Sequence, residues 1–150
     1  MKGKINISIW NNRVRYELEF KRSITLITGK SSTGKSTLIK LMRDRVRNGK
    51  LSGIKMESSI EESRIHVILD NNDCDSVMSK EKENILYFAD ENVSLIKAKE
   101  FSEFLKRTGS WLVYVSRDDS IRYLNFSVHE IYEIKSVKKD KYYMHSLKEV

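Results

Sequence analysis

The stretch ITLITGKSSTGKSTLIKLM, Ile24 to Met42, decides how the rest of this chain is read. Gly29 is followed by four residues and then by Gly34-Lys35-Ser36, which is the spacing G-x-x-x-x-G-K-[ST] of a phosphate-binding loop (Walker A). Each residue type has a reason to be there. Glycines let the backbone turn tightly and aim successive N–H groups inward as an anion-binding nest. The helix that follows directs its N-terminal N–H groups and its positive dipole end at the same anion. Lys35 is placed to reach the β- and γ-phosphates, Ser36 to ligate Mg²⁺, and Thr37 to support the α-phosphate side. Lys30, Ser31, Ser32 and Thr33 complete the loop, so Gly29 to Thr37 form one nucleotide-binding segment.

The flanks agree with the motif. SITLITG ahead of the loop is an apolar run suited to a buried strand. After it, Leu38, Leu41, Met42 and Val46 recur at helical spacing from Lys35 to Asn48, and Gly49 is a natural stop. Further out, INISIW (Ile5 to Trp10) and VRYELEF (Val14 to Phe20) alternate apolar with polar residues around Asn11-Asn12, predicting an antiparallel hairpin. GIKMESS (Gly53 to Ser59) and RIHVILD (Arg64 to Asp70) predict two further strands, read as a hairpin or edge pair. DNNDCDSVMSKEKEN reads as a polar loop with room for one helical turn. ILYFADEN (Ile85 to Asn92) predicts a strand closing on two carboxylates. Ala98, Phe101, Phe104 and Leu105 form a helical stripe ending at Gly109, and WLVYVSRD (Trp111 to Asp118) predicts a strand. SVHEIYEIKSV and KYYMHSLKEV predict a final strand pair around KKDK. The expected fold is therefore α/β: a P-loop core with a mainly parallel sheet flanked by helices, plus N-terminal and C-terminal antiparallel hairpins.

With 150 residues and no proline, linker or repeat, the chain reads as a single domain spanning 1–150. No apolar run reaches membrane-spanning length and Cys74 is the only cysteine, so the default expectation is a cytoplasmic protein with no membrane contact. The net charge of +7 admits a nucleic-acid or protein partner. His66, His129 and His145 show no metal-ligand spacing. Trp10 and Tyr16 on the first hairpin can either pack an adenine or serve the sheet, and sheet packing is the simpler expectation.

A phosphate loop of this type works with a second acidic motif, an apolar strand ending in Asp that helps hold Mg²⁺. HVILD offers Asp70. ILYFADE offers Asp90 for the metal and adjacent Glu91 for the water, and it is followed by an amphipathic helix and another apolar strand, so it is preferred. At this point the sequence resembles the P-loop NTPases, and within them the additional-strand, catalytic-glutamate division that includes the transporter-type, chromosome-maintenance and repair ATPases. The resemblance rests on GKSSTGKS and ADE and implies ATP and Mg²⁺ as cofactors, with Lys35 and Glu91 as catalytic residues and Ser36 and Asp90 on the metal. It also implies that WLVYVSRD inserts between the phosphate-loop strand and the acidic strand, bringing Ser116 and Arg117 to a sensor position. The chain departs from the division in lacking a full L-S-G-G-Q-like signature; LSG at Leu51–Gly53 is a fragment, so the resemblance is to a minimal head. Lys30 makes the loop similar to that of the partitioning ATPases, where the first lysine reaches a partner's nucleotide. That would imply a nucleotide-dependent homodimer, but the Asp-x-Pro partner motif is missing.

The function expected from these motifs is Mg-dependent ATP binding, with hydrolysis coupled to a conformational or assembly step, and the basic charge together with the repair-ATPase likeness suggests a DNA-linked role. The alternatives are a small-molecule kinase and a non-hydrolysing nucleotide-binding interaction module. Nothing in the motifs separates ATP from GTP, although an N-K-x-D guanine-reading motif is not found.

Overall fold

The computed structural model describes residues 3–29, 34–93, 98–116 and 128–150. Among them are nine strands, β1 (Ile5–Trp10), β2 (Val14–Phe20), β3 (Ile24–Thr28), β4 (Lys55–Ser58), β5 (Ile65–Val67), β6 (Leu86–Ala89), β7 (Trp111–Val115), β8 (Glu130–Lys138) and β9 (Tyr143–Glu149), and three α-helices, α1 (Lys35–Asn48), α2 (Asn71–Lys80) and α3 (Ala98–Thr108). All nine strands join one sheet in the order β4-β1-β2-β9-β8-β3-β7-β6-β5.

This sheet overturns the expected P-loop core of mainly parallel sheet flanked by helices. It is mixed: β4·β1, β1·β2 and β8·β9 pair antiparallel, while β2·β9, β8·β3, β3·β7, β7·β6 and β6·β5 pair parallel. The two end hairpins do form, but they are not additions to a parallel core. The C-terminal hairpin inserts between β2 and β3 and fuses the N-terminal strands to the rest. Helices also flank less of the sheet than expected. The reason lies in the side-chain pattern. β6 sends Leu86 and Phe88 to one core and Tyr87 and Ala89 to the other, and β7 splits Trp111, Val113 and Val115 from Leu112 and Tyr114 in the same way. Strands buried on both faces need cover on both, supplied by α1 on one side and α2 and α3 on the other. β1 and β2 have one apolar face only, with Ile5, Ile7, Ile9, Tyr16, Leu18 and Phe20 packed toward α1. Ser8 and Glu17 on the opposite face bond each other, so no covering helix is required there.

Two local expectations are corrected as well. GIKMESS and RIHVILD are not partners: β4 forms one edge of the sheet on β1 and β5 the other on β6. The stretch after Asp70 is a ten-residue helix, not a loop. Asp70 caps it by accepting a hydrogen bond from Asp73 N–H at 2.8 Å, and Cys74 and Val77 bury one side against the core.

α1 follows its prediction. It starts at Lys35 and stops at Gly49, whose φ of 58° lies in the left-handed region. Inside it, the guanidinium of Arg45 is buried and donates to both carboxylate oxygens of Glu62 and to the Ile54 carbonyl. This pins the segment between α1 and β5.

Candidate functional site

β3, β7 and β6 run parallel, so their C-terminal ends open on one edge of the sheet. β7 lies between the other two, as expected for WLVYVSRD. Gly29 leaves β3, Asp90 and Glu91 leave β6, and Ser116 leaves β7. Ser116 is held beside β3 by donating its N–H to the Ile27 carbonyl at 3.0 Å. The result is a cleft of about 170 Å³ lined by Lys35, Ser36, Ile39, Asp90, Glu91, Asn92, Val115 and Ser116. Six of these eight are polar, and they come from three segments widely separated in the chain.

The structure therefore brings Lys35, Ser36, Asp90, Glu91 and Ser116 together. Gly29 and Gly34 both take positive φ, 136° and 94°, which glycine alone adopts without strain. Lys30, Ser31, Ser32, Thr33 and Arg117 lie outside the described residues. Asp70, the rival acidic candidate, caps α2 and does not line the cleft.

Geometry around the cleft assigns each group a local state. Lys35 is buried, and its ammonium donates to the Gly29 carbonyl, closing the loop across its two ends. α1 begins at Gly34 with no side-chain cap and no acidic residue in its own first turn, so its positive end is uncompensated from within the helix. Asp90 begins a tight turn: its carboxylate accepts from Asn92 N–H at 2.9 Å and its carbonyl from Val93 N–H at 3.0 Å. Glu91 accepts a hydrogen bond from the Ser116 hydroxyl at 3.2 Å. Tyr114, behind the cleft, is pushed up to about 12 by burial first and then by the Glu91 and Asp90 charges. It stays protonated at neutral pH.

Oxygen donors from Ser36 and Asp90 on one cleft suit a hard divalent cation. Among the described residues no group of three or more His, Cys, Asp or Glu side chains is placed to hold a metal by itself. Mg²⁺ is commonly held by one or two protein oxygens with phosphates and water completing its shell, so the pair present fits it.

For two residues the sequence reading missed the contact that supports the site. Tyr16 of β2 is fully buried and donates its phenol hydroxyl to the Gly34 carbonyl at 2.7 Å. His145 of β9 stacks on Tyr16 with ring centroids 4.6 Å apart. This is the sheet-packing alternative for Tyr16. Trp10 lies elsewhere, under the Arg15 guanidinium at 4.4 Å. A buried tyrosine at an alternating position gives no sign in the sequence of what its hydroxyl touches.

Among the described residues no helix is long and apolar enough to cross a membrane. Comparison with protein-family models and with curated proteins matches nothing to this chain.

Proposed function

We propose that the chain binds Mg²⁺-ATP at the cleft between the start of α1 and the ends of β6 and β7, and that it hydrolyses it. The observation that carries this reading is the meeting, in one cleft, of Lys35 and Ser36 with Asp90, Glu91 and Ser116. The reading does not need the sheet as a whole to be mainly parallel; it uses only the parallel run of β3, β7 and β6. It rests on side chains and on the glycine conformations at the two ends of the loop.

In this reading the first turn of α1 and the Lys35 ammonium take the negative charge of the phosphates, and that stabilisation grows as charge shifts during phosphoryl transfer. Ser36 and Asp90 would hold the metal, which would supply neutralisation of phosphate charge. Glu91 orients a water and accepts its proton, and the bond from Ser116 fixes which way its carboxylate faces. Ile39 and Val115 close the apolar wall of the cleft.

The test is direct. Calorimetric titration with Mg²⁺-ATP should show saturable binding by the wild type, and Lys35→Ala should abolish it. Phosphate release without any added acceptor should accompany binding, which separates an ATPase from a small-molecule kinase. Wild type that binds neither ATP nor GTP would falsify the reading. Binding with no phosphate release would turn it into the non-hydrolysing module.

A further inference from the structure

We infer that Tyr16 is a positioning residue for nucleotide phosphate, and that His145 of the C-terminal hairpin holds it in that role; the inference rests on the nucleotide reading above. Tyr16 and the phosphate loop are separated by β3 in sequence, and His145 lies more than a hundred residues further along the chain. The sheet brings them together because β9 pairs with β2 in parallel, setting His145 opposite Tyr16.

The argument starts at one peptide plane. In a trans peptide the carbonyl of one residue and the N–H of the next point in opposite directions. The Gly34 carbonyl and the Lys35 N–H share such a plane. The carbonyl is held from two sides: it accepts the Tyr16 hydroxyl at 2.7 Å and the Leu38 N–H at 3.0 Å, the first bond of α1. With the carbonyl anchored toward the helix, the Lys35 N–H faces the opposite way, toward the N-terminal end of α1, the side on which a helix takes an anion. Gly34 has φ 94°, a conformation with glycine's usual freedom on either side, so an outside anchor matters here more than at an ordinary residue.

Tyr16 in turn is fixed by its neighbours. Its ring is fully buried and packs against His145 with an interplanar angle of 22°. The imidazole is itself oriented by a hydrogen bond of 2.6 Å between Nδ1 and the Ser136 hydroxyl of β8. A Cβ placed on Gly34 would lie 3.0 Å from the Tyr16 oxygen and 3.4 Å from His145 Cε1, so the pair forms the floor beneath the loop's last residue. The C-terminal hairpin is thereby part of the phosphate site without lining it.

The experiment is calorimetric titration with Mg²⁺-ATP of wild type, Tyr16→Phe, His145→Phe and His145→Ala, with thermal melting of each protein alone. Tyr16→Phe keeps the ring and loses the hydroxyl. It should weaken ATP by about tenfold, the scale of one hydrogen bond, with a melting midpoint close to wild type. His145→Phe keeps the stack and should bind within about twofold of wild type, while His145→Ala loses the stack and should weaken in the same sense as Tyr16→Phe. A merely structural role would lower melting points without changing the affinity of the folded protein. Wild-type affinity in folded Tyr16→Phe overturns the inference and leaves the nucleotide reading standing. If Tyr16→Phe does not fold, the His145 pair decides, and equal affinities of His145→Ala and His145→Phe overturn it. No binding by wild type removes the nucleotide reading and this inference together.

Discussion

The hydroxyl of Ser116, at the end of β7, donates to the Glu91 carboxylate across 3.2 Å. The two residues leave adjacent parallel strands, so the bond spans the edge where the cleft opens. In the proposed reaction Glu91 takes a proton from water and needs a fixed direction, which the Ser116 hydroxyl helps to set. Glu91→Gln keeps the shape and removes the basicity. ATP binding should persist, and phosphate release should fall by about 10²- to 10⁴-fold, the usual worth of a general base. Ser116→Ala leaves the base but frees its orientation, so kcat should drop about tenfold with little change in KM. A Glu91→Gln protein that releases phosphate at the wild-type rate would remove Glu91 from the mechanism.

Gly34 makes a second prediction that needs no nucleotide. Its φ of 94° is unfavourable for any residue with a Cβ, and that Cβ would press on the Tyr16 oxygen at 3.0 Å. Tyr16 is buried and cannot swing away. Gly34→Ala should cost about 1–2 kcal/mol from the backbone alone, and more if the Tyr16 bond is displaced. Urea denaturation of the two proteins measures it. A change below a few tenths of a kcal/mol would mean that the loop shifts freely, contrary to the anchoring described here.

The positive-φ glycines Gly29 and Gly34, α1, the first hairpin, the strand leading into Asp90-Glu91 and the stripe of α3 were legible because each is a local pattern. The order of strands was legible only in part. The insertion of β7 between β3 and β6 came from resemblance, and the parallel pairing of β2 with β9 came from nothing local. No pattern within Tyr143–Glu149 says which strand it will lie beside. α2 was missed because only Cys74 and Val77 of its ten residues are buried, too few to make a stripe. Its signal was instead the cap, Asp70 ahead of Asp73. Asp70→Ala should therefore cost about 1 kcal/mol in urea denaturation. No loss at all would show that α2 is held by its contacts alone.

Arg45 tests how the segment between α1 and β5 is secured. It is 8% exposed and spends its donors on Glu62, at 2.8 and 3.2 Å, and on the Ile54 carbonyl at 2.8 Å. Breaking a buried ion pair is severe when the abandoned charge stays buried. Here the Glu62 side chain is 48% exposed and regains water once the arginine is gone, so the main loss is the Ile54 carbonyl's partner. Arg45→Met, which keeps much of the side chain's apolar stem, should destabilise by about 1–3 kcal/mol, the cost of an unsatisfied buried acceptor. Glu62→Gln should cost less than Arg45→Met. The reverse ranking would mean that the ion pair, and not the carbonyl contact, secures the segment.

His145 gives the stability of the fold a pH dependence of known sign. Burial holds its pKa below the ordinary 6.5, and its contacts are the Tyr16 ring and the Ser136 hydroxyl. Burial also raises the pKa of Tyr16, so the phenol stays neutral across this range. Above pH 6.5 the imidazole is neutral in both folded and unfolded chains and contributes no slope. As pH falls below 6.5, the unfolded chain takes up a proton that the folded chain resists, and stability declines until the folded pKa is passed. Carboxylates add their own slope at lower pH, so the informative quantity is a difference between two proteins. The stability lost by wild type between pH 7.5 and 5.5, followed by urea denaturation, should exceed that lost by His145→Phe, which keeps the stack and cannot titrate. Equal losses would show that the imidazole takes up its proton as readily in the fold as in the unfolded chain, and that the stack on Tyr16 does not exclude water.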